Sequence, residues 1–337
     1  MSGTLHGFGL GVASENANGD ILDVFFPAPK ANISGASADA LQSVSGTLDN
    51  TALSSLAKDC RAANDESTAV LAERLRDSGR RVVASSLAGN QAPETVEDAY
   101  LKLHMLSHRL VKPHGTDLSG IFPLLPNVAW TDEGPVDLNE LADRQLTARL
   151  QGRVLEVASV DKFPKMTNYV VPAGVRIAHS ARVRLGAHLG AGTTVMHEGF
   201  INFNAGTEGP GMVEGRISAG VMVGKGSDLG GGCSTMGTLS GGGNIIISVG
   251  EECLIGANAG LGIPLGDRCT VEAGLFVTAG TKVAVLDDQK NTIETIAARH
   301  LAGRSDLLFR RNSQSGAVEC LTNKTAIELN ESLHANN

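Results

Sequence analysis

The sequence predicts a mixed fold, in which an α/β N-terminal domain is followed by a parallel β-helix built from hexapeptide repeats. Three observations support this class: aliphatic residues recur at every sixth position after Val171, glycine is abundant, and aromatic residues are scarce. Glycine makes up 41 of the 337 residues, about 12%, against roughly 7% in ordinary proteins, while aromatic residues make up 4%. Only 11 residues are proline and 42% are hydrophobic, which excludes a collagen-like chain and a disordered one.

The chain divides into four predicted segments. They are an N-terminal α/β domain (1–115), a connecting segment with a helix (116–165), the β-helix (166–285) and a small C-terminal extension (286–337). Before the repeats, short apolar runs predict strands and longer amphipathic patterns predict helices. The predicted strands are Thr4–Leu10 and Ile21–Phe26, and the predicted helices are Ser67–Ser78, Val96–Val111 and Leu138–Gln151. Asp137 directly precedes the last helix and is expected to cap it.

The repeat region is defined by one aliphatic residue in every six, with two interruptions and one four-residue step. The recurring residues are Val171, Ile177, Val183, Leu189, Val195, Ile201, Ile217, Val223, Leu229, Val249, Ile255, Leu261, Leu265, Val271, Val277 and Val283. A helix requires spacings of three and four, and a two-sided strand alternates every two residues, so neither fits. A three-sided coil fits, with one inward side chain per side and Gly, Ala or Asn at the bends. The remaining alternative is a glycine-rich parallel sheet or linker.

The two interruptions are predicted to be insertions outside the stacked coils. They cover residues 203–216 and 235–247. A solenoid places insertions on its surface, where they can build a site. The second interruption contains three consecutive glycines, Gly241–Gly243, which permit close approach of the backbone to a ligand.

The bulk composition limits the partners and the compartment. Because 36 acidic residues outnumber 28 basic ones, the formal charge of −8 gives no support to a nucleic-acid partner. The five cysteines contain no C-x-x-C pair, so they are interpreted as small core residues in a reducing cytoplasm. No apolar run reaches the roughly 20 residues of a membrane span, and the first residues do not form a signal peptide. We therefore expect a cytoplasmic protein that has no membrane partner.

Several longer segments of the chain resemble one family of acyltransferases. They read DKFPKM (161–166), VMHEGFINFNAGTEGPGMVEGRIS (195–218), GGGCSTMGTLSGGGN (230–244), GANAGLGIPLGD (256–267) and LLFRRNSQSGAVE (307–319). Together they are similar to the tetrahydrodipicolinate N-succinyltransferases of lysine and diaminopimelate biosynthesis. The resemblance implies a left-handed β-helix and a homotrimer with active sites between subunits. It also implies succinyl transfer from succinyl-CoA to the amine of ring-opened tetrahydrodipicolinate, with release of CoA. Some relatives bind Mg²⁺ on the three-fold axis, so Mg²⁺ is expected there without assigned ligands.

The same resemblance assigns the catalytic residue. Glu198, in the MHEGF motif, matches the catalytic glutamate of the family. Its carboxylate either accepts the proton of the attacking amine or attacks the thioester to form an acyl anhydride. The base role is favoured because a carboxylate is a weak nucleophile. The neighbouring His197 is the alternative base, since many hexapeptide acetyltransferases use a histidine, but its side chain is expected to point away from Glu198. His179 and His188 are expected to be surface residues.

The resemblance also assigns two groups of binding residues. The substrate and succinyl region contains Arg216, Ser218, Met236, Ser240, Gly241, Ala257 and Asn258. The CoA region contains Lys282, Arg310, Arg311, Asn312 and Ser313. Two alternatives remain open from the residues alone: Arg216 pairs with the nearby Glu214, or the two adjacent arginines are solvated charges at an edge.

Two other functions are compatible with a β-helix. The first is a related acyltransferase that uses another acyl-CoA or amine. The second is a non-catalytic scaffold or a metal-binding trimer, which requires histidines at equivalent positions of successive coils. His179, His188 and His197 are nine residues apart, while a coil contains about 18 residues. This spacing disfavours a histidine metal site.

Overall fold

The computed structural model describes residues 3–237 and 245–322, which form two compact units. The N-terminal unit contains residues 3–164 and 168–170, and the C-terminal unit contains residues 165–167 and the described residues from 171 onward. The contacts therefore place the predicted connecting segment with the N-terminal domain and the described part of the extension with the β-helix. The division into four segments stays a prediction.

The elements are numbered in chain order. The helices are α1 (Ala36–Leu41), α2 (Asn50–Ala62), α3 (Glu66–Arg76), α4 (Val96–Ser107), α5 (Ile121–Leu124) and α6 (Leu138–Leu150). The strands before the repeats are β1 (Thr4–Glu15), β2 (Ile21–Phe25), β3 (Lys30–Ser34), β4 (Gly46–Leu48), β5 (Val82–Leu87), β6 (Val128–Thr131), β7 (Gly134–Asp137) and β8 (Val157–Asp161). The strands of the repeats are β9 (Arg176–Ile177), β10 (Ala187–Leu189), β11 (Thr193–Val195), β12 (Phe200–Ile201), β13 (Ala205–Thr207), β14 (Gly211–Val213), β15 (Arg216–Ile217), β16 (Met222–Val223), β17 (Asp228–Leu229), β18 (Ser234–Thr235), β19 (Ser248–Val249), β20 (Leu254–Ile255), β21 (Gly260–Gly262), β22 (Thr270–Val271) and β23 (Phe276–Thr278). The last strands are β24 (Lys282–Leu286), β25 (Thr292–Ala297), β26 (Leu307–Arg311) and β27 (Val318–Thr322).

The N-terminal unit is built on a five-stranded antiparallel sheet. Its order is β2-β1-β5-β4, and β3 also pairs with β1. Apolar residues of β1 pack with those of α2 and α3 in one buried cluster. The two predicted strands and the three predicted helices are present, with shifted ends, and Asp137 caps α6 by accepting a hydrogen bond from the Asn139 N–H. Helices α1, α2 and α5 were not predicted.

A second, three-stranded sheet lies in the region predicted as a connection. Its order is β7-β6-β8, with both pairings antiparallel. The indole N–H of Trp130 in β6 donates to the carbonyl oxygen of Asp161 in β8, at 2.9 Å. This segment is therefore a folded part of its unit.

The C-terminal unit is a parallel β-helix with three sheets. Sheet 1 contains β10, β13, β16 and β19. Sheet 2 begins with β9, β11, β14, β17, β20 and β22. Sheet 3 contains β12, β15, β18, β21 and β23. Of the 16 recurring aliphatic residues, the 14 from Val183 onward are at most 3% exposed. Val171 is 63% exposed because it precedes β9, the first strand of the stack, and Ile177 is half-buried. The predicted inward row is therefore confirmed from Val183 to Val283.

The first predicted interruption is wrong. Residues 205–207 and 211–213 are β13 and β14, and both strands pair with coils on either side. Thr207 and Val213 continue the period of six after Ile201, and both are buried. The Thr207 hydroxyl contacts the Thr193 hydroxyl inside the coil at 2.6 Å, which satisfies a polar group in an aliphatic row. The real irregularity is a four-residue step from Val213 to Ile217.

The described strands after β23 close the stack. Strand β26 adds to sheet 2 in parallel with β22, so that Phe309 lies beside Val271. Strands β26 and β27 form an antiparallel pair, and β24 pairs with both β25 and β27. The described part of the predicted extension is thus hydrogen-bonded to the β-helix.

Candidate active site

The candidate site lies along the edge where each coil turns from sheet 2 to sheet 3. The turns on this edge, which we name the Glu198 edge, are residues 196–199, 214–215, 230–233, 256–259 and 272–275. Val195 pairs with Val213 and Phe200 pairs with Arg216, so four residues in the first turn face only two in the second. The short second turn leaves His197 and Glu198 protruding, with side chains 70% and 72% exposed.

The carboxylate of Glu198 is held by an arginine of the preceding coil. Arg182 Nη2 donates to Glu198 Oε2 and to the backbone carbonyl oxygen of Glu198, both at 2.9 Å. Arg182 directly precedes Val183, which bridges to Ile201 in parallel register, and so Arg182 lies one coil below Phe200. Sequence reasoning missed Arg182. Its position 18 residues before Phe200, one full coil, could have placed it on the coil that stacks against the MHEGF motif.

Three expectations about the histidines are wrong. His197 Nδ1 lies 3.3 Å from Glu198 Oε1, so the ring faces the carboxylate instead of pointing away. His179 and His197 are 18 residues apart, one full coil, and their rings meet edge to face with centroids 5.1 Å apart. His179 and His197 therefore occupy equivalent positions of successive coils, contrary to the expectation from the nine-residue spacing. His188, expected on the surface, is only 7% exposed.

Arg216, Ser218 and Met236 lie on the outer face of sheet 3, beside the Glu198 edge. Arg216 stands between Phe200 and Ser234 in register, and its side chain is exposed. Ser218 and Met236 occupy the next outward row, one residue past the buried Ile217 and Thr235. The structure thus brings these three predicted residues onto one face.

Ser218 is fixed by its neighbour in the next coil. Its hydroxyl donates to the Thr235 carbonyl oxygen at 2.6 Å, and its N–H donates to Thr235 Oγ1 at 3.2 Å. Thr235 Oγ1 in turn donates to the Arg216 carbonyl oxygen at 3.1 Å. The backbone that carries Arg216 and Ser218 is therefore cross-linked to the coil that carries Met236.

Ala257 and Asn258 are the exposed residues of the fourth turn of the Glu198 edge. Asn258 has φ of 55°, and its N–H donates to the Gly231 carbonyl oxygen in the preceding turn at 2.9 Å. A Cβ on Gly232, which has φ of +70°, would lie 2.5 Å from Asn258 Oδ1. Glycine at 232 therefore allows the Asn258 amide to lie directly over the third turn. Ser240 and Gly241 lie outside the described residues.

The residues predicted to contact CoA are separated by the structure into two groups. Arg310 pairs across the β26–β27 hairpin with Glu319, with Nε and Nη2 at 2.9 and 2.8 Å from Oε2. Asn312 Nδ2 donates to Glu319 Oε1 at 2.7 Å. These bonds hold the pKa of Glu319 below its ordinary value, with the Asn312 bond as the largest cause. The interpretation of both arginines as solvated edge charges therefore does not hold for Arg310.

The other group is exposed. Lys282 begins β24, Ser313 follows the end of β26, and Arg311 carries an exposed side chain whose Nη1 donates to the Gly316 carbonyl oxygen at 2.9 Å. Strand geometry explains why the adjacent Arg310 and Arg311 fall into different groups, because consecutive residues of a strand face opposite sides.

Two further expectations concern cysteines and metal. All five cysteines are free and buried, as predicted for core residues. Burial raises the pKa of the thiol of Cys233, the last residue of the third turn of the Glu198 edge, to about 12, so it stays protonated. Within residues 3–237 and 245–322, no three His, Cys, Asp or Glu side chains of one chain cluster to hold a metal ion. The described residues of one chain therefore offer no such donor set for Mg²⁺.

Comparison with known proteins agrees with this architecture. A family model described as tetrahydrodipicolinate N-succinyltransferase middle matches residues 125–165, and one described as hexapeptide repeat of succinyl-transferase matches residues 246–279. A 2,3,4,5-tetrahydropyridine-2,6-dicarboxylate N-succinyltransferase of Pseudomonas paraeruginosa is 64% identical, with all of both chains covered. The chain belongs to the tetrahydrodipicolinate N-succinyltransferase family. An enzyme of the same name from Vibrio cholerae is 59% identical over 98% of both chains.

A solved structure extends the family assignment to the fold. A Campylobacter jejuni protein described as a 2,3,4,5-tetrahydropyridine-2-carboxylate N-succinyltransferase superposes with a TM-score of 0.87 at 34% identity, covering 96% of this chain and 93% of the other. The predictions of the family, of an acyltransferase and of an α/β domain followed by a left-handed β-helix are confirmed. The match to residues 125–165 falls on the three-stranded sheet, which was predicted only as a connection. None of the helices in the described part of the chain is long and apolar enough to span a membrane.

Proposed function

We propose that this chain transfers succinyl from succinyl-CoA to the amine of ring-opened tetrahydrodipicolinate, with Glu198 as the catalytic residue. The observation that carries the catalytic assignment is the protruding, exposed carboxylate of Glu198, held in one orientation by Arg182. A catalytic carboxylate must be reachable by substrate and fixed in direction, and Glu198 meets both conditions.

The reaction is the aminolysis of a thioester. The amine nitrogen attacks the thioester carbon, and Glu198 accepts the proton that the nitrogen loses. The tetrahedral intermediate then collapses, the carbon–sulfur bond breaks, and the proton returns from Glu198 to the departing thiolate. The alternative remains that Glu198 itself displaces CoA and forms an anhydride, which the amine then opens. Release of CoA before the amine substrate is added would identify this second route.

The substrate carboxylates need cationic partners, and Arg216 supplies one. Its exposed guanidinium lies on the same face as Ser218 and Met236, next to the Glu198 edge. A guanidinium binds a carboxylate through two parallel hydrogen bonds. We assign Arg216 and Ser218 to the amine substrate, and Met236, Ala257 and Asn258 to the acyl-donor side. Ser240 and Gly241 stay predictions for the same region.

The CoA phosphates require exposed cations. We assign them Lys282 and Arg311, with Ser313 as a polar contact, because these side chains face solvent. Arg310 and Asn312 are proposed to hold the hairpin that presents them, since their polar groups bind Glu319.

An exposed catalytic carboxylate also needs a surface that excludes water around it. Glu198 is 72% exposed in the single chain, so we propose that a second subunit of a homotrimer completes each site. We also propose that Mg²⁺ binds on the three-fold axis of the trimer and that the protein is cytoplasmic.

The deciding experiment is thiol release from succinyl-CoA with tetrahydrodipicolinate as acceptor, run beside acetyl-CoA. We expect release with succinyl-CoA that depends on the acceptor, and much slower release with acetyl-CoA. Faster release with acetyl-CoA would identify a related acyltransferase with another donor. No release with either donor would contradict the proposed activity.

A further inference from the structure

Arg182 makes two hydrogen bonds to one residue, and together they fix the position of that residue. One nitrogen, Nη2, donates to both the backbone carbonyl oxygen and Oε2 of Glu198, at 2.9 Å each. The first bond holds the main chain of the turn, and the second holds the rotamer of the side chain. A glutamate with 72% of its side chain exposed otherwise samples several rotamers.

The turn that contains Glu198 needs this support more than its neighbours do. Residues 196–199 face the two-residue turn 214–215, so the protruding pair His197 and Glu198 lacks a matching turn in the following coil. Support comes from the preceding coil, where Arg182 bonds Glu198 and the ring of His179 contacts the ring of His197.

We propose that Arg182 is a positioning residue that sets the orientation of the Glu198 carboxylate for the reaction, an inference that rests on the proposed role of Glu198. With Oε2 held by Arg182, Oε1 is the oxygen that meets the amine proton, and His197 Nδ1 stands 3.3 Å from it. Catalytic groups lose much of their effect when they shift by an ångström.

The expected signature is kinetic. Arg182 and Glu198 are both partly exposed, with side chains 38% and 72% accessible, and exposed ion pairs contribute little to stability. Arg182→Ala should therefore lower kcat about 10- to 100-fold while the KM values for both substrates and the unfolding temperature stay nearly constant. Arg182→Lys should recover part of the loss, because a single nitrogen makes both bonds.

The experiment measures kcat and both KM values for Arg182→Ala, Arg182→Lys and a control, Arg176→Ala, in the full-length protein. Arg176 is an exposed arginine six residues before Arg182, and it pairs in register with Thr194 on sheet 2. Guanidinium ion added to the Arg182→Ala variant should restore part of kcat and leave the control unchanged. An unchanged kcat for Arg182→Ala overturns the inference. A higher KM for the amine substrate at constant kcat also overturns it, because Arg182 would then bind substrate.

A double variant separates this inference from the proposed function. If Arg182 acts through Glu198, Arg182→Ala in a Glu198→Gln background lowers kcat no further than Glu198→Gln alone. Independent, multiplying losses would assign Arg182 another role and overturn the inference while leaving Glu198 in place. Full turnover by Glu198→Gln would overturn both the catalytic assignment and the inference.

Discussion

Two arginine–carboxylate pairs of the β-helix unit have the same chemistry and different surroundings. Arg182 and Glu198 meet at the Glu198 edge, where the carboxylate side chain is 72% exposed. Arg310 and Glu319 meet in the closing hairpin, where the carboxylate side chain is 10% exposed and also accepts a bond from Asn312. A buried carboxylate with all its partners present is suited to stabilise a fold, while an exposed carboxylate that an arginine holds in one orientation is suited to meet a substrate.

The largest expected difference is in turnover. Glu198→Gln should lower kcat about 100- to 10,000-fold, since a general base contributes on that scale, and should leave the unfolding temperature nearly unchanged. Glu319→Gln is the matched control, which removes the same charge from the buried pair and should retain turnover. The steady-state rates of thiol release check both variants.

A second control addresses the histidine beside Glu198. His197→Gln should retain most of the turnover. The contact of the His197 ring with Glu198 Oε1 is long, at 3.3 Å, and its loss leaves the two 2.9 Å bonds from Arg182 to Glu198 in place. Loss of turnover in His197→Gln with normal turnover in Glu198→Gln would reverse the assignment of the base.

The next largest effect is on stability. Arg310→Ala leaves the Glu319 carboxylate buried with Asn312 as its remaining side-chain partner, which should cost about 2 kcal/mol of unfolding free energy. Denaturant unfolding at fixed protein concentration measures this loss. If the variant instead unfolds normally and shows a raised KM for succinyl-CoA, Arg310 belongs to the CoA site and the contrast between the two pairs fails.

Acidification offers a third test of the buried pair. The pKa of Glu319 is lowered in the folded state, first by Asn312 and then by Arg310, so its stabilisation is present above the ordinary value of 4.5. It is lost as the pH falls below 4.5 through the folded-state pKa, because the unfolded chain binds the proton more readily. The stability difference between the wild type and Glu319→Gln should therefore shrink between pH 5 and about pH 3. A difference that stays constant in that range would show that the carboxylate charge does not carry the stabilisation.

The difference between buried and exposed positions also decides how much of the fold the sequence predicts. The inward row from Val183 to Val283 was predictable, because burial between stacked coils selects an aliphatic side chain at every sixth position. Thr207 interrupts the aliphatic pattern, so the sequence predicts an insertion where the structure has a coil. The hydroxyl of Thr193, which satisfies the buried Thr207 hydroxyl, is adjacent only in the folded structure.

The sequence predicts those residues of the candidate site that belong to a family motif. It does not predict those that reach the site only through the stacking of coils. Glu198 came from the family motif. Arg182 lies 16 residues earlier in the chain and reaches Glu198 only because a coil contains 18 residues. The two adjacent arginines 310 and 311 look alike in sequence, and only the hairpin register places Arg310 opposite Glu319.

The smallest expected effect separates those two arginines. Arg311→Ala should change the unfolding free energy by no more than about 0.5 kcal/mol, as is usual for an exposed side chain. If its guanidinium binds a CoA phosphate, the KM for succinyl-CoA should rise about five-fold at low salt and less at high salt, because added ions screen an exposed contact. Arg310→Ala, measured in parallel, should show the opposite pattern, with a larger loss of stability and a smaller rise in the KM for succinyl-CoA. Equal KM changes in the two variants would mean that both side chains of the strand reach the donor, and that the Glu319 pair is not solely structural.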